Sequence, residues 1–239
     1  MKRRKFLQNA SLTGLGLAAS SALMSCKKEE NNNLTEESIT ALASSDPIST
    51  PIVIATWTVP NATKKAWEVL QSGGNSLDAV EQGVMVEELD IKNHSVGKGG
   101  LPDRDGNVTL DACIMDKNGN CGSVVYLKDI THAISVARKV MEDTPHVMLA
   151  GEGAKQFALE KGFQKENLLT DKSKEDWDEW KKTSQYKPII NIENHDTIGM
   201  LSIDNNGDIS GACTTSGLAF KMAGRVGDSP IIGSGLFVD

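Results

Sequence analysis

The chain has 239 residues, of which 39% are hydrophobic and 5% aromatic, and this length suits one or two soluble globular domains. The formal net charge of −7 argues against a nucleic-acid-binding surface. The 22 glycines and 7 prolines exclude collagen-like and low-complexity classes, and 4 cysteines are too few for a scaffold built on disulfides.

The N-terminus is typical of an export signal. Residues 2–5 read KRRK, and the apolar run 12–24 that follows is too short to span a membrane as a stable helix. The paired arginines resemble a twin-arginine signal, and residues 23–26 resemble a lipoprotein cleavage box in which Cys26 would be lipidated. The alternative is a plain cleaved signal that discards Cys26.

A polar segment separates this signal from the rest of the chain. Residues 27–51 have low hydrophobicity and no packing pattern, which indicates a linker. We therefore expect residues 1–45 to hold the export signal and the linker, with cleavage after Ala43 as an alternative. Residues 46–239 are expected to form the folded domain, in the periplasm or at the cell surface.

The domain begins with a predicted strand and two predicted helices. The apolar run 51–57 is typical of a strand. Apolar residues then recur at helical spacing from Pro60 to the glycines at 73–74, and again over 75–89. The glycine-rich stretch 95–107 predicts a loop.

Two hairpins share one pattern. Residues 108–127 and 197–217 each hold two extended runs around an Asn-Gly turn, the strongest short-range hairpin signal. A two-residue turn in the first hairpin places Asp116 opposite Cys121. Cys121 is then out of register with Cys113, so the two thiols should not bridge. We expect free, buried thiols at Cys113, Cys121 and Cys213.

The region between the hairpins is predicted to be helical and then irregular. Residues 131–142 and 151–161 have helical spacing, whereas residues 163–195 are charged and irregular. Trp177 and Trp180 in that region indicate one face of a short helix. The order of elements predicts antiparallel sheets covered by helices, which is an α+β fold.

Five separate blocks carry the functional information. They are SVGKGGLPDRDG at 95–106, VTLDACIMD at 108–116, HAISVARKVMEDTPHVMLAGEGA at 132–154, HDTIGM at 195–200 and GRVGDSP at 224–230. Read alone, His-Asp-Thr at the start of a hairpin strand is a surface turn. Together and in this order, the blocks resemble glycosylasparaginase, also called aspartylglucosaminidase, and most of all its bacterial, exported form.

This resemblance implies an N-terminal-nucleophile hydrolase fold, a four-layer αββα sandwich. Members of the family are made as inactive precursors that cut themselves before a catalytic threonine. Here that is the Asp196–Thr197 bond, with His195 beside it. The domain would then consist of an α chain, 46–196, and the start of a β chain, 197–239.

Cleavage would change the chemistry of the threonine. An internal threonine hydroxyl is a weak nucleophile without a base of its own. A free α-amine on Thr197, with an unperturbed pKa of about 7.7–8.0, takes the hydroxyl proton directly or through water. One residue then supplies both nucleophile and base. In the self-cleavage, Thr197 Oγ1 attacks the carbonyl carbon of Asp196, whose side chain is a candidate proton acceptor.

The resemblance also implies a substrate, the amide that joins asparagine to N-acetylglucosamine. Arg225 matches the residue that binds the substrate α-carboxylate, and Asp228 matches the one that binds the α-ammonium. Thr215 and Ser95 match hydroxyls beside the nucleophile, and Trp57 matches a wall of the pocket. Without the resemblance, the first two are a surface ion pair and the others ordinary strand, turn and core residues.

Two other functions remain open. An isoaspartyl peptidase or asparaginase of the same fold shares the threonine nucleophile and the charged clamp, which is the pair of substrate-binding residues matched here by Arg225 and Asp228. An exported lipoprotein that binds ligands without catalysis belongs to another class. The hydrolytic mechanism needs no cofactor or metal, and the resemblance implies that cleaved αβ heterodimers assemble in pairs.

The family pattern continues beyond Asp239. Its further part holds a Thr-Gly pair that builds the oxyanion hole, and removing one oxyanion donor typically costs about 10²–10³ in rate. We therefore expect the sandwich to be incomplete in this chain, with apolar sheet surface exposed and with little or no catalysis.

Overall fold

The computed structural model of the protein describes residues 49–183 and 197–239. Within them lie five helices: α1 Pro60–Gln71, α2 Ser76–Leu89, α3 Ala133–Asp143, α4 Gly151–Glu160 and α5 Asp171–Thr183. The strands are β1 Ile52–Ala55, β2 Leu110–Met115, β3 Cys121–Leu127, β4 Met148–Ala150, β5 Ile198–Ile203 and β6 Ile209–Thr215. The predicted α+β class is confirmed. No helix in these two ranges is long and apolar enough to cross a membrane.

The strands form one mixed sheet in the order β1-β5-β6-β2-β3-β4. Every pairing is antiparallel except that of β3 with β4, which is parallel. The expectation of purely antiparallel sheets was therefore wrong at this edge. The strand Met148–Ala150 has three residues, which is too short for a period-2 pattern to be recognised in the sequence.

The register of the first hairpin also differs from the prediction. Met115, not Asp116, lies opposite Cys121. A two-residue type I′ turn needs positive φ at both central residues, and here only Gly119 has it, at 81°. The carboxylate of Asp116 instead accepts a hydrogen bond from the Asn118 N–H at 2.9 Å and shapes a longer loop.

The three cysteines of the described chain are free thiols, as predicted. Cys113 and Cys213 are buried, whereas Cys121 is half-buried. The register places Cys113 opposite Ser123 on one side and opposite Cys213 on the other, so Cys121 is not its cross-strand neighbour.

Helices α1, α2 and α3 cover one face of the sheet. Asn75 caps α2 by accepting the Asp78 N–H at 2.8 Å. The main apolar core lies under these helices and includes Leu110, Ala112 and Ile114 of β2. Successive strand residues point to opposite faces, so their neighbours face away from the helices.

The opposite face carries a smaller apolar cluster. It joins β2 and β6 to the C-terminal segment and consists of Cys113, Met115, Cys213, Leu236 and Val238. This segment, 216–239, contains no helix or strand and reaches back across the sheet. It is also the part of the chain that holds the GRVGDSP block.

Helix α5 lies where the sequence suggested mostly irregular chain. The prediction was wrong over Asp171–Thr183, although the short helix proposed for the two tryptophans is present. Trp177 Nε1 donates to the carbonyl of Arg104 at 3.1 Å, and Trp180 stacks on Phe220 with ring centroids 4.8 Å apart. Lysine–aspartate pairs along the helix stabilise an element whose apolar content is low.

Candidate active site

Thr197 lies immediately before β5, at the end of the strand beside β1. Its carbonyl oxygen accepts two hydrogen bonds at 3.0 Å, one from Thr56 Oγ1 and one from Trp57 Nε1. The Thr56 backbone N–H donates a hydrogen bond to the Gly199 carbonyl at 3.0 Å. The turn after β1 therefore fixes the backbone of the threonine.

The hydroxyl of Thr197 faces a second hydroxyl. Its Oγ1 lies 3.1 Å from the Oγ of Ser229, which is only 2% exposed. Thr215 closes β6 nearby and donates to the Ser95 carbonyl at 3.2 Å. The Ser216 N–H donates to the same carbonyl at 2.7 Å, so the loop that holds Ser95 is tied to the end of β6.

Two cavities flank Thr197, and Trp57 lines both. The first encloses about 330 Å³ and is also lined by Asn93 and Ser95. The second encloses about 260 Å³ and is lined by Asp228 and Ser229, together with Cys213. The structure thus brings Trp57, Ser95 and Asp228 together around the threonine, and their roles in binding stay predictions.

Arg225 is placed differently from its expected partner Asp228. It lines neither of the two cavities beside Thr197. Its guanidinium lies close to Gly227, where a Cβ atom would be 3.0 Å from Nη1, and to Gly217, where the same distance would be 3.4 Å. The clamp formed by Arg225 and Asp228 remains a prediction, although one loop carries both. Predictions on His195 and Asp196 lie outside the described residues.

A buried charged pair lies under this loop. Lys221 is 1% exposed, and its Nζ donates to the Ser216 carbonyl at 2.7 Å. Asp111 is fully buried and accepts the Tyr126 N–H at 2.8 Å. Burial lowers the pKa of Lys221 and raises the pKa of Asp111, while each charge offsets part of the shift in the other.

A second buried carboxylate connects the helices to β6. Glu88 of α2 is fully buried, and its Oε1 accepts from Thr214 Oγ1 at 2.7 Å and from the Ile134 N–H at 2.9 Å. Its Oε2 lies 3.2 Å from His132 Nδ1. Burial raises the pKa of Glu88, and these hydrogen bonds oppose that rise. Thr214 is the β6 residue directly opposite Ile198, next to the candidate nucleophile.

Cys113, whose thiol donates to the Ser229 carbonyl, is poorly suited to act as a nucleophile. The pKa of the Cys113 thiol is raised, first by its hydrogen bond with Cys213 and then by burial. The reactive form of cysteine is the thiolate, so a raised pKa removes most of its reactivity. In the two described ranges, no group of three or more His, Cys, Asp or Glu residues is placed to hold a metal ion.

Sequence reasoning missed several residues of this site. Ser229 and Thr56 contact Thr197, and Asn93 holds the Ser95 N–H at 3.0 Å. Ser229 follows Asp228 directly, so its position in the GRVGDSP block was the available signal. Nothing local in the sequence indicates that this serine meets Thr197.

Comparison with known proteins defines the family. The profile of the family described as Asparaginase matches residues 39–239. An N(4)-(Beta-N-acetylglucosaminyl)-L-asparaginase from Elizabethkingia miricola is 64% identical over 201 residues, which make up 83% of this chain and 59% of that protein. Proteins of that name from Rattus norvegicus and Mus musculus are each 41% identical, over 79% of this chain and 64% of their own length.

These matches show that the chain belongs to the asparaginase family, and its α+β fold agrees with that membership. Within that family, the relatives carry the name of the glycosylasparaginase branch, which confirms the resemblance seen in the sequence. The chain spans 59% to 64% of the length of these relatives.

Proposed function

We propose that this protein is a self-processing amidohydrolase that cleaves the amide bond between asparagine and N-acetylglucosamine, in glycoprotein degradation. The observation that carries the proposal is the placement of Thr197. Its Oγ1 lies 3.1 Å from Ser229 Oγ, and Thr197 lines both cavities at the start of β5. The names of the relatives supply the substrate class.

The first half-reaction forms an ester on Thr197. The α-amine, freed when the Asp196–Thr197 bond is cut, takes the hydroxyl proton. Oγ1 then attacks the side-chain carbonyl carbon of the substrate asparagine. The C–N bond breaks, and the glycosylamine leaves with a proton. The two hydrogen bonds that hold the Thr197 carbonyl keep the reacting residue in one orientation during this step.

The second half-reaction releases aspartate. Water attacks the β-aspartyl ester carbon, the bond to Oγ1 breaks, and the threonine hydroxyl is restored. Throughout, Arg225 binds the α-carboxylate of the amino acid and Asp228 binds its α-ammonium. Asp228 already lines the second cavity, and Arg225 lies three residues before it in the same loop.

The same proposal covers processing, assembly and location. His195, Asp196 and Thr197 form the cleavage junction, and the resulting α and β chains pair into a dimer of heterodimers with the four-layer αββα arrangement. The N-terminal signal directs the protein to the periplasm or cell surface, with lipidation of Cys26 as one form of attachment. The mechanism uses no cofactor or metal.

The first test is the intact mass, after incubation, of a chain completed with the family pattern beyond Asp239, called the full-length protein from here on, beside its Thr197→Ala variant. We expect two pieces that part between Asp196 and Thr197 in the wild type and a single uncut mass in the variant. An uncut wild-type chain that also fails to hydrolyse substrate would contradict the proposal and favour a non-catalytic binding protein.

A second test separates glycosylasparaginase from an isoaspartyl peptidase or asparaginase. The processed protein is given N4-(β-N-acetylglucosaminyl)-L-asparagine, a β-aspartyl dipeptide and free asparagine in parallel. We expect the highest kcat/KM for the glycosylated asparagine. A preference for the dipeptide or for asparagine would assign the chain to the other branch.

A further inference from the structure

We infer that Ser229 is a catalytic residue whose hydroxyl donates a hydrogen bond to the nucleophilic oxygen of Thr197. This inference rests on the proposed function, because it concerns the same reaction. The two hydroxyl oxygens lie 3.1 Å apart, and the two residues are separated by 32 positions in the sequence. Ser229 is 2% exposed, so water does not compete freely for its hydroxyl.

The position of Ser229 is fixed by contacts on several sides. Its carbonyl accepts a hydrogen bond from the Cys113 thiol at 3.1 Å, which ties it to β2. The preceding carbonyl, of Asp228, accepts the Ile231 N–H at 2.8 Å and closes a tight turn. Gly235 packs against that turn so closely that a Cβ atom there would lie 2.6 Å from Ser229 Cα. The hydroxyl is therefore held in place before substrate binds.

The direction of the hydrogen bond follows from the number of protons. Each hydroxyl carries one proton, and Thr197 gives its proton to the α-amine when Oγ1 attacks. During attack the shared hydrogen bond then has only the Ser229 proton available, so Ser229 is the donor. A hydrogen bond to an oxygen that is gaining negative charge is stronger than one to a neutral hydroxyl. The interaction therefore stabilises the transition state more than the ground state.

The same turn connects the nucleophile to substrate recognition. Asp228, the expected partner of the substrate α-ammonium, precedes Ser229 and lines the same cavity. One rigid turn thus sets the distance between the bound amino acid and the attacking oxygen. This arrangement predicts that loss of the Ser229 hydroxyl changes the rate of the chemical step and leaves substrate binding nearly intact.

The test compares Ser229→Ala, Ser229→Thr and Ser234→Ala in the full-length protein. Ser234→Ala is the matched control, because this exposed serine lies in the same segment and lines neither cavity beside Thr197. Self-cleavage is followed by intact mass, and hydrolysis of N4-(β-N-acetylglucosaminyl)-L-asparagine by the processed protein gives kcat and KM. We expect Ser229→Ala to lower kcat at least about tenfold, the scale of one hydrogen bond, with KM within about twofold. Ser229→Thr should recover most of that loss.

Each outcome supports or overturns the assignment. Slow self-cleavage in Ser229→Ala that Ser229→Thr restores supports it, because the same oxygen attacks in both reactions. Unchanged kcat in Ser229→Ala overturns it, and so does equal loss in the alanine and threonine variants, which would show that packing and not the hydroxyl matters. An inactive and uncut wild type would instead contradict the proposed function itself.

Discussion

The two faces of the sheet are built in different ways. On the helix face, α1, α2 and α3 cover an apolar core whose spacing can be read from the sequence. On the opposite face, the segment 216–239 has no regular element and is held by turns, glycine contacts and a small cluster of cysteine and aliphatic side chains. The helix face stabilises the fold, whereas the other face carries Asp228 and Ser229, which line a cavity beside Thr197.

The residues that stabilise the fold and those that could bind a ligand therefore lie on different faces of the sheet. On the helix face, the fully buried carboxylate of Glu88 accepts hydrogen bonds from Thr214 of β6 and from Ile134 of α3. The irregular face places its polar groups beside a cavity, where they are available to a ligand. Substitutions on the two faces should therefore change different measured quantities.

The largest effect on stability is expected on the helix face. Glu88→Ala leaves the Thr214 hydroxyl and the Ile134 N–H without an acceptor and opens a cavity, which should lower the free energy of unfolding by about 3 kcal/mol. Urea unfolding of the purified protein measures this loss. Glu68→Ala, at a mostly exposed position on α1, is the control and should change the free energy by less than about 0.5 kcal/mol. Equal losses in both variants would refute a special role for Glu88.

The next effect is expected on the irregular face and should appear in activity. A Cβ atom in Gly235→Ala would lie 2.5 Å from the Asp228 carbonyl oxygen, so the turn that holds Ser229 must shift. Misplacement of a reacting group by about 1 Å can cost about 10²-fold, so we expect a loss of this size in kcat/KM. Gly153→Ala on α4 is the control, because its Cβ atom would meet no neighbour within 4 Å. A fully active Gly235→Ala protein would show that the turn is adaptable.

A pH experiment sharpens the description of the helix face. Burial raises the pKa of Glu88 above its ordinary 4.5, so the folded state holds this proton more tightly than the unfolded state. The stabilising contribution is complete below pH 4.5 and is lost as the pH rises through the folded-state pKa. Glu88→Gln does not titrate, so its deficit relative to wild type should shrink from acid toward neutral pH.

Urea unfolding at several pH values measures this convergence. His132 lies 3.2 Å from the carboxylate, so the pair is also measured with His132→Asn in both proteins. If the deficit of Glu88→Gln also shrinks with rising pH when both proteins carry His132→Asn, the pH dependence is assigned to Glu88. A deficit that is constant with pH, or one that grows, would contradict the raised pKa.

Much of the helix face could be predicted from the sequence. The helices α1, α2 and α3 follow from apolar spacing, which is a local pattern. The hairpins were predicted for the same reason. The register of the first was missed because the Asp116 side chain reshapes its loop. Glu88 was missed because a glutamate near a helix end is usually exposed.

The site could be predicted only as far as the resemblance reached. Thr197, Trp57, Ser95 and Asp228 meet because blocks far apart in the sequence converge at one end of the sheet. The contact between Thr197 and Ser229 depends on the path of 216–239, which has no periodicity to read. Tertiary packing sets this path, through close glycine contacts and the Cys113 thiol.

The smallest effect is expected where α5 packs on the segment 216–239. Trp180 stacks on Phe220, which has a φ of 56° that is unusual for a residue with a side chain. A double-mutant cycle with Trp180→Ala and Phe220→Ala should give a coupling energy of about 1 kcal/mol in urea unfolding. The stack lies outside both cavities, so kcat/KM should change less than threefold in either single variant. A coupling energy near zero would contradict a stabilising stack between the two rings. An activity loss like that of Gly235→Ala would show that α5 also helps to position the turn that holds Ser229.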